Sequence, residues 1–126
     1  MKILIVDDNL LNQKIVSFHL KKMNCEVICV TNWREAMNIV KNDHLDLIFM
    51  DIMLPEKSGM QITHEIREYE MYAGIKERVP IVALTANTLD NDKEKCILSG
   101  MDDYITKPFS ADDLYRAINN LVLKKL

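Results

Sequence analysis

The feature that most constrains the fold is an alternation of two hydrophobic periods along the chain. Ile3 to Val6, Val27 to Val30, Leu47 to Met50 and Ile81 to Leu84 are continuous apolar runs, and a weaker one, "DYIT", covers 103 to 106. They are too short for helices and read as buried strands. Between them apolar residues return at helical spacing: Leu11, Ile15, Phe18 and Leu20 to Met23; Ala36, Met37, Ile39 and Val40; Met60, Ile62, Ile66 and Tyr69. Two further helices are predicted from punctuation. Thr88 to Ser99 ends at Gly100, and Ser110 stands three before Asp113 at the head of a stretch carrying Leu114, Ile118, Leu121 and Val122. Asn24 is placed to cap the first helix in the left-handed conformation, and "EYEMYAGIKERVP" at 68 to 80 is the longest irregular candidate. Such β-α alternation implies an α/β fold, a doubly wound parallel sheet with right-handed crossovers.

Composition narrows the class. At 126 residues with 48% hydrophobic and 28% charged content, the chain suits one domain over 1–126. A net charge of −3 gives no general reason to bind nucleic acid or an anionic membrane. No apolar run approaches a membrane span, and "MKILIVDD" is too short and too acidic for a signal peptide, so a cytoplasmic protein is expected. Cys25, Cys29 and Cys96 are odd in number with no second Cys or His cluster to complete a zinc site, so reduced thiols are expected. His19, His44 and His64 are dispersed and receive no role.

The ends of the strands carry the chemistry. Asp7 and Asp8 follow the first strand, Asp51 the third, Thr85 the fourth and Lys107 the fifth, all at the C-terminal edge of a parallel sheet, where open α/β sheets bind ligands. Three carboxylates there repel unless a cation holds them, and an all-oxygen donor set open to water suits Mg²⁺. Lys107 would bind a phosphoryl oxygen as a point charge and Thr85 would donate to another. Asp51 would then be the nucleophile toward phosphorus.

"ILIVDDN", "IFMDIMLPEKSGM", "PIVALTAN" and "GMDDYITKPF" occur in this order and strand context. With them the chain resembles the receiver domain of two-component response regulators over essentially its whole length. The resemblance implies a flavodoxin-like sheet of order 2-1-3-4-5 with five helices. It implies Asp51 as phosphoacceptor, Asp8 as direct Mg²⁺ ligand, Asp7 acting through water, and Met53 supplying its backbone carbonyl. Thr85 and Tyr104 are similar to the switch pair, Lys107 to the phosphoryl-binding lysine, and Pro108 to the proline of a cis peptide bond; Ala86 and Asn87 complete the candidate site. The implied partner is a histidine kinase or histidine phosphotransfer domain, with a downstream protein on the face of the fourth helix, fifth strand and fifth helix, and a monomer or weak dimer. Such a domain catalyses its own phosphoryl transfer and autodephosphorylation but is mainly regulatory.

Each piece alone is weak, since an Asp-Asp pair at a strand end is ordinarily a cap and turn. Their convergence at four strand ends carries the reading. "VDDNLLNQ" and "ALTANTLDNDKEKCILSGMDDYITKP" resemble receivers of hybrid sensor histidine kinases more than those of DNA-binding regulators, and both a stand-alone regulator and an excised receiver stay open. An aspartyl-nucleophile phosphatase would need a second Asp where Met53 stands, and an FMN binder would need a glycine-rich loop where "DDNLLN" stands. A phosphorylation-independent scaffold of the same fold is the alternative. Two departures from the family pattern are Trp33, where a glycine is common, and Lys57-Ser58, where an apolar residue and Asp are common. Both are expected to alter partner surfaces rather than the phosphorylation set. Met53 should shield the acceptor from hydrolytic water and Asn87 should orient it, giving an intermediate phosphoryl lifetime.

Overall fold

The computed structural model describes residues 1–86 and 90–125. Its elements are β1 (Lys2–Val6), α1 (Leu10–Lys22), β2 (Glu26–Val30), α2 (Trp33–Asn42), β3 (Leu47–Asp51), α3 (Gly59–Tyr72), β4 (Ile81–Thr85), α4 (Asp90–Ser99), β5 (Asp103–Thr106) and α5 (Ala111–Leu121), with a short 3-10 turn at Leu123–Lys125. All five strands pair in parallel in the order β2-β1-β3-β4-β5, the expected sheet. Strand order reverses between β1 and β3, which opens a crevice above their C-terminal ends.

Strand alternation sorts the core onto the two faces. Leu4, Val6, Ile48, Met50, Ile81 and Ala83 pack with Ala36 and Met37 of α2, Ile62 and Ile66 of α3, and Cys96 of α4. Ile3, Ile5, Leu47, Phe49, Val82 and Leu84 pack with Val16 and Leu20 of α1 and Leu114, Ala117 and Ile118 of α5. Strands β3 and β4 are buried along their whole length because helices cover both faces. Each fully buried Leu, Ile or Phe there contributes about 1.5–3 kcal/mol relative to exposure.

The helix boundaries follow local chemistry. Asn9, Asn32, Ser58 and Ser110 are N-caps whose side chains accept from the third residue of the helix, and Ser58–Gln61 and Ser110–Asp113 are full capping boxes. Asn24 adopts φ 62° after α1, as expected for that position. Helix α3 continues to Tyr72, which corrects the irregular assignment from residue 68; the connection to β4 starts at Ala73. The expectation for α1 is also corrected. Its buried face is Gln13, Val16 and Leu20, whereas Leu10, Leu11 and Phe18 are 63%, 66% and 56% exposed. Gln13 takes the core-facing phase because its amide donates to the carbonyls of Asp7, at 2.6 Å, and Val30, at 3.0 Å, tying the ends of β1 and β2.

At the opposite end of the sheet Arg67 of α3 forms a knot without a local sequence signal. Its guanidinium donates to Gly100 O (2.9 Å), Val79 O (2.7 Å), Glu70 Oε1 (2.8 Å) and Asp102 Oδ2 (2.9 Å), and Arg78 also pairs with Asp102. The two acids in turn accept from the backbone of Val79 and Ile81. Cys25, Cys29 and Cys96 form no disulfide. No helix among the described residues is long and apolar enough to cross a membrane.

Candidate functional site

Four strand ends deliver the site. Asp51 is the last residue of β3, buried, and its neighbour across the sheet is Leu84, so Thr85 ends β4 one position further on. Asp7 directly follows β1 and is fully buried, while Asp8 beside it is exposed. The carboxylates of Asp7, Asp8 and Asp51 each offer an oxygen, all within 4.8 Å of one another. Lys107, one residue beyond β5, places Nζ 3.5 Å from Asp51 Oδ1 and 3.8 Å from Asp7 Oδ2. Its N–H donates to Thr85 O at 2.7 Å, and the Lys107–Pro108 bond is cis.

Electrostatics at this cluster are unbalanced toward negative charge. Burial, then the Asp7 carboxylate, push the Asp51 carboxyl up to about 6, against the opposing pull of Lys107 and of the Met53 N–H, which donates to Asp51 Oδ1 at 3.2 Å. One oxygen of Asp7 accepts from Asn9 N–H at 2.9 Å. The other, Oδ2, is buried with no hydrogen-bond partner. A buried carboxylate oxygen without a hydrogen bond, facing two further carboxylates and one ammonium at 3.8 Å, fits a hard divalent cation.

The loop after Asp51 is held close. Gly59 N–H donates to Ile52 O at 3.0 Å, and a Cβ on Gly59 would lie 2.2 Å from the Asp51 carbonyl oxygen, so only glycine lets α3 start there. Met53 projects its side chain outward, 79% exposed. Tyr104 on β5 is half-buried, with Lys93 Nζ 5.0 Å over its ring, and Ala86 is exposed beyond β4. Asn87 lies outside the described residues.

The family model for the response regulator receiver domain matches residues 3–119. The chain belongs to this receiver family. The receiver is 35% identical to probable histidine kinase 6 of Oryza sativa subsp. japonica over 96% of its own length and 14% of that protein. It is 40% identical to hybrid signal transduction histidine kinase G of Dictyostelium discoideum over 94% of its length and 3% of that protein. It thus spans only a small part of the length of these relatives. Among solved structures it is similar to the Saccharomyces cerevisiae receiver domain co-crystallised with the histidine phosphotransfer protein Ypd1, with TM-score 0.93 and 38% identity over 99% of this chain and 90% of that one. A second is the receiver domain of a Pseudomonas aeruginosa sensor histidine kinase with magnesium coordinated in its active site cleft, with TM-score 0.84 and 38% identity over 95% of both chains.

The receiver therefore brings together Asp7, Asp8, Asp51 and Lys107, which the spacing of strand ends had pointed to. Sequence reasoning missed Gln13, which steadies the backbone of Asp7, because its polar side chain hides the 13, 16, 20 stripe that an amphipathic reading of α1 looks for. Trp33 and Lys57 lie outside the phosphorylation set, but Trp33 Nε1 donates to Glu56 Oε2 at 3.0 Å and Lys57 Nζ lies 4.0 Å over the Trp33 ring, a tie to the loop that follows the acceptor with no local sequence signal.

Proposed function

We propose that Asp51 accepts a phosphoryl group from the phosphohistidine of a histidine kinase or histidine phosphotransfer domain, and that residues 1–126 act as one regulatory unit. The observation that carries this is the convergence of three carboxylates within 4.8 Å, one with a buried oxygen that makes no hydrogen bond, beside an ammonium 3.5 Å from Asp51. An Asp51 oxygen attacks phosphorus, the bond from phosphorus to the histidine nitrogen breaks, and the imidazole leaves. Lys107 holds a phosphoryl oxygen as charge builds there, and the Met53 N–H keeps the other Asp51 oxygen oriented. Asp7, Asp8, Asp51 and the Met53 carbonyl would hold Mg²⁺, with Asp8 direct and Asp7 through water. When bound, the ion would neutralise the acidic cluster and favour the ionised acceptor.

Partner choice is supported by α1. Leu11, Ile15 and Phe18 repeat at i, i+4 and i+7 on its exposed side, and the helix begins directly after Asp7, Asp8 and Asn9, so this apolar stripe adjoins the acceptor. A helix of a phosphotransfer domain docking there would present its histidine to Asp51. The likeness to a receiver solved with such a protein supports the same partner. Thr85 and Tyr104 are proposed as the pair that carries phosphorylation to the α4-β5-α5 face, where a downstream protein would read it. The unit is proposed to be cytoplasmic and a monomer or weak dimer. A phosphorylation-independent scaffold gives no reason to bury Asp7 and Asp51 side by side with one ammonium between them.

The decisive experiment is intact mass after incubation with Mg²⁺ and acetyl phosphate. One phosphoryl group should be gained by the wild type and none by Asp51→Asn; a label on Asp51→Asn at another residue would sink the assignment.

A further inference from the structure

The six residues between Ile52 and Gly59 form a loop fixed at both ends. At its base the Gly59 N–H donates to Ile52 O, directly beside the acceptor's own carbonyl. At its tip Lys57 N–H donates back to Pro55 O at 2.8 Å, closing a three-residue turn centred on Glu56 with φ 69°. A turn of that hand at a residue other than glycine is strained and persists only where its surroundings over-determine it.

The surroundings are Trp33 and its neighbours. Trp33, the first residue of α2, donates its indole N–H to Glu56 Oε2 at 3.0 Å. Lys57 lays its ammonium 4.0 Å over the same ring and pairs with Glu65 of α3. The indole itself packs on the core. A rigid group anchored in α2 therefore grips the tip of the loop whose other end carries Met53, and the same ring is bridged to α3 by Lys57.

We propose that Trp33 is a positioning residue for the phosphorylation site: by holding Glu56 it fixes the loop on which the Met53 carbonyl is presented to the cation. This rests on the reading of Asp51, Asp7, Asp8 and Met53 given above. Without the grip the turn relaxes and the Met53 carbonyl is no longer pre-oriented, so cation affinity falls. Asp51 and Lys107 are held by β3 and β5 and do not depend on it, so the rate at saturating cation stays.

The test measures Mg²⁺ binding directly by isothermal calorimetry, and beside it the initial rate of phosphoryl incorporation from acetyl phosphate across the same Mg²⁺ titration, in the wild type, Trp33→Phe, Glu56→Ala and Glu56→Gln. Trp33→Phe keeps a ring beneath Lys57 and removes only the N–H; Glu56→Gln keeps an accepting oxygen. The Mg²⁺ midpoint should rise about fivefold in Trp33→Phe and in Glu56→Ala, the factor carried by one hydrogen bond of ordinary net strength, with the saturating rate unchanged. Glu56→Gln should restore a midpoint close to the wild type. Glu56 is exposed, so its variants should fold even where a Trp33 variant does not. Equal midpoints in all four proteins overturn the proposal, as does a fall in saturating rate at an unmoved midpoint. Failure of the underlying reading is distinguishable, because it appears as no incorporation in the wild type itself.

Discussion

At Asp51, the place where β3 ends works against the charge the residue is proposed to need. Burial beside Asp7 raises its carboxyl from 3.8 to about 6, so in the metal-free protein the folded state binds the proton more tightly than the unfolded chain does. The contribution of this group to stability is therefore complete below 3.8 and is lost as pH rises through about 6. Metal-free wild type should weaken by about 1–3 kcal/mol across that window, and Asp51→Asn should remove the dependence and be the more stable of the two at neutral pH. Urea denaturation with a chelator present measures it; parallel pH profiles would count against an acceptor that is strained when empty. Met53 makes a separate point at the same scale. Its thioether orients water poorly, so Met53→Asn should speed single-turnover decay of the phosphoprotein, by less than the ~10²-fold of a full general base. An unchanged decay would remove the shielding argument.

Helix α1 shows how one element can serve two demands. Its inner face is set by Gln13, Val16 and Leu20, and its outer face keeps Leu10, Leu11, Ile15 and Phe18 in solvent beside the acidic cluster. Exposed apolar residues on a helix at this spacing fit a helix-to-helix contact. Changing Leu11 and Phe18 together to Glu should leave stability within about 0.5 kcal/mol, because both side chains are already exposed. It should slow transfer from a phosphotransfer domain by about tenfold or more, the loss expected when central apolar contacts are removed. Labelling by acetyl phosphate, which needs no docking, should be unchanged; an equal loss with both donors would place the effect in the site rather than the interface.

Across the whole molecule, two clusters of charge sit at opposite ends of one sheet and behave differently. Among the described residues the acidic cluster at the C-terminal edge has one ammonium for three carboxylates, with no hydrogen bond to Asp7 Oδ2, whereas the knot around Arg67 is closed: Glu70, Asp102 and two backbone carbonyls all meet the guanidinium. It joins α3 to the entry of β4 and to the turn between α4 and β5. Arg67→Met should cost about 3 kcal/mol or more, since it strands the buried Glu70 carboxylate and leaves Asp102 paired only with the exposed Arg78. Chemical denaturation reads the loss, and phosphoryl incorporation by the folded fraction should persist, because the knot lies at the far edge from Asp51.

The alternation of short apolar runs with amphipathic stretches determined by itself the parallel α/β sheet, because strands covered on both faces must be apolar throughout and parallel strands require crossovers. Each strand was legible to within one residue, and the C-terminal positions of Asp7, Asp8, Asp51, Thr85 and Lys107 followed from those ends. Helix phase was less legible: on α1 a polar Gln13 belongs to the core and an apolar Phe18 does not, and only packing against β1 and β2 decides which face turns inward. The ties of Trp33 to Glu56, 23 residues away, and of Arg67 to Asp102, 35 away, have no periodicity to reveal them. Local sequence fixes what each segment prefers to be. Which side chains meet across the fold, and so which loop is gripped and which carboxylate oxygen is buried without a hydrogen bond, is decided when the sheet closes and the helices settle on its two faces.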